Sequence, residues 1–249
     1  MEPLSPPPTD PLRSGWLVAF AVVVAAHLAL LLTDPPADST RWWLTLATKC
    51  LIAPLLAVWV YRQQGPAVIV LALALCFLGD LFLAFDATFL LGMAAFAAAH
   101  GCFVTFFVRR GAAARLRERP WIVVALLAVA VALVAWVWSG LEPDLRIPVV
   151  VYALLLGATA ATALAVDTRA GVGGLLFLFS DALIALGIAD RLPEDSVPRS
   201  FTVMLTYSLA LFFLATAIVT KETRTRAFGG PDPTRATDCW PTVPTGERS

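Results

Sequence analysis

The chain has 249 residues, of which 59% are hydrophobic and only 14% are charged. Because soluble domains carry roughly a quarter of charged residues, this composition excludes an ordinary water-soluble domain and predicts an integral membrane protein. The formal net charge is zero, which gives no reason to expect a nucleic acid as a partner.

Eight apolar segments follow one another along the chain, each long enough to cross a hydrocarbon layer, which takes about 20 helical residues. Short connections rich in Pro, Gly and charge separate them. The fold class predicted is therefore all-α, a polytopic bundle of about eight transmembrane helices that forms one domain over residues 15–220. The predicted spans are 15–33, 43–61, 67–85, 88–108, 121–138, 147–166, 171–189 and 201–219.

The two ends of the chain differ from its middle. Residues 1–14 and 221–249 are rich in Pro, Thr and charge and have no apolar periodicity, so both are predicted to be disordered. The first span follows a weakly charged segment and is longer than the apolar part of a signal peptide, so we expect it to be a helix of the mature protein.

The basic residues predict how the bundle is oriented. With eight spans both termini lie on one face, and that face carries 13 of the 18 Lys and Arg residues, so the positive-inside rule predicts a cell-membrane protein with both termini cytoplasmic. The 13 are Arg13, Arg62, Arg109, Arg110, Arg115, Arg117, Arg119, Arg169, Lys221, Arg224, Arg226, Arg235 and Arg248.

Neither a metal site nor a cofactor site is predicted. Cys50, Cys76 and Cys102 fall in three different spans and Cys239 in the tail, without a metal-ligand spacing, and they are typical of small apolar residues. The sequence also has no phosphate-binding loop, dinucleotide fingerprint, zinc-hydrolase motif or serine elbow. The function is therefore expected to depend on side chains alone.

Five ionisable side chains lie inside the predicted spans: His27, Lys49, Asp80, His100 and Asp181. A charged group near the bilayer centre costs about 2.5 to 3.5 kcal/mol, so such groups normally face a bundle interior or a wet cavity. Counting residues places Lys49 and the two Asp residues roughly 7 to 13 Å below the outer boundary, and His100 about 18 Å below it. A cavity open to the extracytoplasmic side would collect most of these groups.

The two carboxylates lie in related sequences. FLGDLFLA (77–84) and LFSDALIA (178–185) align Asp80 with Asp181, and the third and seventh spans run in the same direction. This favours two pseudo-repeated four-helix halves with one acidic helix in each. Helices from equivalent positions in such halves are expected to face each other.

Four motifs resemble those of the YhhN transmembrane family, whose animal members are lysoplasmalogenases. They are KCLIAP (49–54), LGDLFL (78–83), FLLGMAAFAAAH (89–100) and GGLLFLFSDALIA (173–185), and they occur in the right order and at the right spacing. The resemblance implies hydrolysis of the vinyl ether bond of a lysoplasmalogen, with a lysophospholipid substrate and membrane lipids as partners. The products would be a fatty aldehyde and a glycerophospho-base.

The implied chemistry needs a proton donor and a group that activates water. Two carboxyl groups in a cavity of low dielectric supply both, because their mutual repulsion holds one proton on the pair. We hypothesise that Asp80 and Asp181 form this catalytic pair. Which of them starts protonated is left open at this point.

The other candidate site residues each admit a structural reading. For Lys49 the expected roles are to bind the lipid phosphate or to keep one Asp ionised; the structural alternative is an ion pair with Asp80 or Asp181. His100 shares a helix face with Phe96 and Gly92. It is expected either to orient an Asp or relay protons, or to be a hydrogen-bonded structural histidine. Ser180 hydrogen-bonds the neighbouring carboxyl or packs between helices. Gly79 belongs to the first acidic motif and Gly92 permits close helix approach.

Two alternatives to a hydrolase stay open. The first is a proton-coupled transporter, because intramembrane Asp, Lys and His residues also occur in transporters and a repeat fits a transporter as well as an enzyme. The second is a protein that has kept the fold and lost the activity. His27 has no motif around it and is expected to be structural.

Overall fold

The computed structural model describes residue 12 and residues 14–33, 40–193 and 196–227 of the chain. The described part contains nine α-helices and one short 3₁₀ turn (Asp86–Thr88) between α3 and α4. The helices are α1 (Gly15–Leu31), α2 (Thr40–Arg62), α3 (Ala67–Phe82), α4 (Phe89–Arg109), α5 (Ala112–Glu118), α6 (Pro120–Val137), α7 (Pro143–Val166), α8 (Thr168–Ile188) and α9 (Val197–Ala227).

Eight of these helices correspond to the eight predicted spans. Six of them, α2, α4, α6, α7, α8 and α9, are long and apolar enough to cross a membrane, and α1 and α3 are apolar with 17 and 16 residues. The predicted all-α, polytopic membrane bundle is confirmed. The ninth helix, α5, is a seven-residue basic segment in a connection for which the sequence predicted no helix.

Polar contacts fix the helix ends at one face of the bundle. The carboxylate of Asp167 accepts hydrogen bonds from the backbone N–H groups of Arg169 and Ala170 and so caps the start of α8. The last carbonyl of α7, at Val166, accepts from Arg115 of α5 and Lys221 of α9. α9 continues to Ala227, past the predicted end of the eighth span and into the segment 221–249 that was predicted to be disordered. The rest of that segment, and residues 1–11 and 13 of the other predicted disordered end, lie outside the described residues.

The helices pack in two similar sets of four. α1–α4 pack in chain order, and α6–α9 do the same. The fourth span of each half also contacts the second span of the other half. Helix α4 contacts α7, and helix α9 contacts α2. This neighbour pattern is the one expected of the predicted pseudo-repeat, and it places the acidic helices α3 and α8 beside the interface between the halves.

Two glycines let α3 and α4 approach closely. A Cβ atom on Gly92 would lie 2.8 Å from the backbone nitrogen of Leu83 and 3.1 Å from the carbonyl oxygen of Gly79. Backbone atoms cannot move aside as a flexible side chain can, so only glycine fits there. The contact determines how far the α3 carboxylate lies from α4.

Gly92→Ala is therefore expected to destabilise the bundle by about 1 to 3 kcal/mol, the usual cost of adding atoms to a packed interior. The measurement is the thermal unfolding midpoint in detergent. Gly101→Ala is the matched control on the same helix, because nothing lies within 4 Å of a Cβ there. The control is expected to be neutral or stabilising, since alanine favours a helix; equal losses in both variants would contradict the packing argument.

Candidate active site

A cavity lies in the half of the bundle that carries the α3–α4 and α8–α9 connections. The volume open to water-sized molecules is about 100 Å³, and all the space between the lining atoms and at the mouth amounts to about 900 Å³. The lining is mostly apolar. Lys49 of α2, Asp80 of α3 and Asp181 of α8 all line it. The three groups that sequence counting placed at one depth thus share one cavity.

Asp80 has two partners. Its Oδ1 lies 3.8 Å from the Nζ of Lys49, and its Oδ2 accepts a hydrogen bond of 2.7 Å from the hydroxyl of Tyr207 on α9. The Asp80 side chain is 3% exposed, whereas that of Lys49 is 24% exposed. The ammonium group therefore lies at the more open side of the pair and favours the ionised carboxylate by Coulomb attraction.

Asp181 has a different set of partners. Its Oδ2 accepts a hydrogen bond from the hydroxyl of Tyr152 on α7. Among the residues that the structure describes, no Lys, Arg or His lies within ion-pair distance of it. The two carboxyl groups thus differ in one respect above all, because a cation accompanies Asp80 and none accompanies Asp181.

Tyr152 and Tyr207 are the site residues that the sequence analysis missed. The chain has only three tyrosines, and these two fall inside the sixth and eighth predicted spans. A phenol in the interior of a bundle almost always finds a hydrogen-bond partner. That rule indicates that each phenol has a partner inside the bundle, but not which group the partner is.

Phe96 forms an aromatic wall of the cavity. Its ring meets those of Phe177 and Tyr207 edge to face, with centroids 6.1 and 5.9 Å apart. A Cβ atom on Gly79 would collide with the Phe96 ring. Gly79 thus supports the site indirectly, because its missing side chain lets the Phe96 ring lie beside Asp80.

His100 lies behind this wall and does not line the cavity. It is fully buried, and its Nδ1 lies 3.1 Å from the hydroxyl of Thr159. Its ring packs edge to face on those of Phe177 and Tyr152, with centroids 4.5 and 5.7 Å apart. Its Nε2 has no hydrogen-bond partner among the described residues. His100 touches the site through Tyr152, the residue that holds Asp181.

Ser180 lines the cavity, but its hydroxyl donates to the backbone carbonyl of Val203 on α9 at 3.1 Å. This contact joins α8 to α9 and leaves the neighbouring carboxyl of Asp181 with Tyr152. Of the two readings of Ser180, the helix-packing one matches the contact.

Ser180→Ala is expected to lower stability by about 1 kcal/mol through the lost hydrogen bond, and to leave the site chemistry within about threefold of wild type. The measurements are the unfolding midpoint and the turnover of lipid by the purified protein. Ser200→Ala, on the half-buried start of α9, is the control. A large loss of turnover with unchanged stability would show that the hydroxyl acts on the reaction.

His27 is outside the cavity. It is 1% exposed, and its Nδ1 lies 3.1 Å from the carbonyl oxygen of Thr45 and 3.0 Å from the hydroxyl of Thr48. These contacts join α1 to α2. Among the described residues no group of three His, Cys, Asp or Glu side chains comes close enough together to hold a metal ion.

The fold and the cavity define a class: a polytopic α-helical membrane protein with two carboxyl groups and one amine gathered inside the bundle. Within this class the chain belongs to the YhhN family, whose model matches residues 44–218. The resemblance read from the four motifs is confirmed.

Three proteins to which the chain is similar are named lysoplasmalogenases. The chain is 32% identical to the lysoplasmalogenase TMEM86B of Homo sapiens over 199 residues, which cover 78% of this chain and 82% of that protein. It is also 32% identical to the lysoplasmalogenase of Mycobacterium bovis over 192 residues, 71% of this chain and 74% of the relative. The TMEM86B of Rattus norvegicus is 28% identical over 174 residues, 68% and 70% of the two chains. No solved structure matches.

Proposed function

We propose that this protein is an intramembrane hydrolase that cleaves the vinyl ether bond of lysoplasmalogen-type lysophospholipids. The family and the names of its relatives support the substrate class. The observation that carries the proposal is that Asp80 and Asp181 line one largely apolar cavity with unlike partners. Two carboxyls in unlike surroundings are suited to act as acid and base.

The reaction begins at the carbon–carbon double bond of the vinyl ether. Protonation of the β-carbon gives an oxocarbenium ion, and water then adds to the α-carbon to form a hemiacetal. The hemiacetal breaks its bond to the glycerol oxygen and leaves a fatty aldehyde. The reaction thus needs a donor that can protonate carbon and a base that can take a proton from water.

In this proposal Asp181 is the acid and Asp80 the base. Asp181 has no cation beside it to favour its ionised form, whereas Lys49 lies 3.8 Å from Asp80. Asp181 gives its proton to the β-carbon, and Asp80 takes one from the attacking water. Asp80 then protonates the departing glycerol oxygen while the hemiacetal hydroxyl returns a proton to Asp181. Both carboxyls end the cycle as they began.

Lys49 has two roles in this scheme. It keeps Asp80 ionised, and its partly exposed ammonium group is placed to bind the lipid phosphate. Both roles are part of the proposal.

The orientation of the bundle is also part of the proposal. The termini are cytoplasmic and the cavity opens toward the outer side of the cell membrane, as the distribution of Lys and Arg indicates.

The test is aldehyde release by purified protein in detergent, measured by mass spectrometry with a panel of lysoplasmalogens, saturated ether lysolipids and acyl lysolipids. An enzyme releases aldehyde without a sealed membrane or an ion gradient, whereas a transporter cannot. In D₂O the aldehyde is expected to carry one deuterium at carbon 2, because the proton added to the β-carbon comes from an exchangeable group.

Free aldehyde incubated in D₂O with the protein is the control for exchange after release. No aldehyde from any vinyl ether lipid would refute the proposed activity. Aldehyde without deuterium at carbon 2 would refute the protonation step alone.

A further inference from the structure

The cavity lining contains a polar group and an apolar group of residues. Asp80, Asp181 and Lys49 form the polar group together with the two tyrosines. One apolar part of the lining, called here the apolar arm, contains no ionisable residue. The apolar arm is formed by Leu133 and Val134 of α6, Val149 of α7, and Ala185 and Ile188 of α8.

The apolar arm begins beside Asp181. Ala185 follows Asp181 by one helical turn on the same face of α8, and Ile188 follows by two. The arm therefore extends about 10 Å from the carboxyl along α8. A small core of Val137, Leu141, Leu186 and Ala189 closes it at the end of the bundle. Its five lining residues are half-buried.

The order of groups along the cavity matches the order of groups along a single-chain ether phospholipid. Lys49 lies beside Asp80 and outside ion-pair distance of Asp181, and the apolar arm begins one helical turn from Asp181. These contacts indicate the order Lys49, Asp80, Asp181, apolar arm. The lipid presents its phosphate, then the glycerol and ether oxygen, then the double bond, then the hydrocarbon chain. In this order the β-carbon, which lies on the chain side of the bond, falls next to Asp181.

We infer that the apolar arm binds the hydrocarbon chain of the lipid and that Ala185 is the residue whose small size admits it. The inference rests on the proposed function for the identity of the lipid. It adds an independent reason for the acid assignment, because the carboxyl nearest the arm is Asp181. A phenylalanine at 185 would fill the arm one turn from that carboxyl.

The first experiment uses the wild-type protein in detergent. The probe is a lysophosphocholine with a saturated ether chain that ends in a photoreactive diazirine, so it cannot be cleaved. Adducts that an excess of unlabelled lysolipid suppresses are expected on the peptides with Leu133, Val134 and Ile188. Suppressible adducts only at the groove between α1 and α9, which Val18 and Phe212 line, would overturn the inference.

The second experiment compares Ala185→Phe with Ala135→Phe. Ala135 lies on the exposed face of α6, so the control adds the same ring on the lipid side, outside the cavity. Ala185→Phe is expected to raise KM for the lysolipid about tenfold or more, as bulk in a chain pocket does, and to abolish the suppressible adducts. The control is expected to leave both unchanged.

The failures are distinguishable. If the wild type releases no aldehyde, the proposed function is wrong, but the uncleavable probe still reports where the chain binds. If the wild type is active and Ala185→Phe keeps both its KM and its adducts, the assignment of the arm is wrong. Unfolding midpoints of both variants, read in the same detergent, show whether a change in KM arises from misfolding; the wild-type adducts then decide the question.

Discussion

Asp181→Asn is expected to lower aldehyde release by about 10²- to 10⁴-fold, the usual contribution of a general acid. Asparagine has the same shape and its oxygen still accepts the hydrogen bond from Tyr152, so the fold is expected to survive. It cannot supply a proton to carbon. The measurement is kcat for a vinyl ether lysolipid, with the unfolding midpoint read in parallel.

Asp190→Asn is the matched control for this variant. Asp190 is an exposed carboxylate just past the end of α8, with φ of 56°, a conformation that asparagine also adopts readily. The control is expected to keep full activity. Retention of more than a tenth of wild-type kcat by Asp181→Asn would remove Asp181 from the role of acid.

Asp80→Asn is expected to lose both activity and stability, and a second substitution separates the two effects. The variant lacks the proposed base, so kcat is expected to fall by about 10²-fold or more. It also leaves Lys49 without its counter-charge; the cost is expected to be about 1 to 3 kcal/mol, less than for a fully buried pair, because Lys49 is 24% exposed. The measurements are kcat and the unfolding midpoint.

The double variant Asp80→Asn with Lys49→Met is expected to regain the lost stability, because no unpaired charge remains, and to stay inactive. Lys49→Met alone serves as the control for the loss of the amine. A double variant that recovers activity together with stability would show that the Lys49–Asp80 pair is only structural. This result decides whether Lys49 forms only a structural ion pair, one of the three roles that the sequence left open for it.

The sequence predicted the spans and the grouping of the charges for one physical reason: the bilayer penalises every polar group that has no place in the interior. Asp80, Asp181 and Lys49 therefore stand out in apolar surroundings, and counting residues along helices places them at one depth. The same penalty is small for phenol and hydroxyl groups. Tyr152 and Tyr207 consequently gave no comparable signal, although each holds one carboxyl.

Contacts between distant helices could not be predicted from local pattern. The partner of Ser180 is a backbone carbonyl of α9, and nothing near Ser180 in the chain indicates it. His100 has the right spacing to share a face with Phe96, which lines the cavity, yet the His100 ring itself packs on Phe177 and Tyr152 and does not line it. The short α5 helix escaped prediction because its seven residues, three Ala, two Arg, one Leu and one Glu, carry no apolar period.

The paired arrangement of the two halves explains why the proposed acid and base have unlike surroundings. Asp80 and Asp181 occupy equivalent helices, and each is held by a tyrosine from another helix. The chain position that precedes Asp80 by 31 residues is Lys49, and at the similar distance of 29 residues before Asp181 stands Tyr152. A single amine on one side thus breaks the equivalence of the two carboxyls. In the proposed mechanism, this one unmatched amine is what lets two otherwise similar groups take different steps of the reaction.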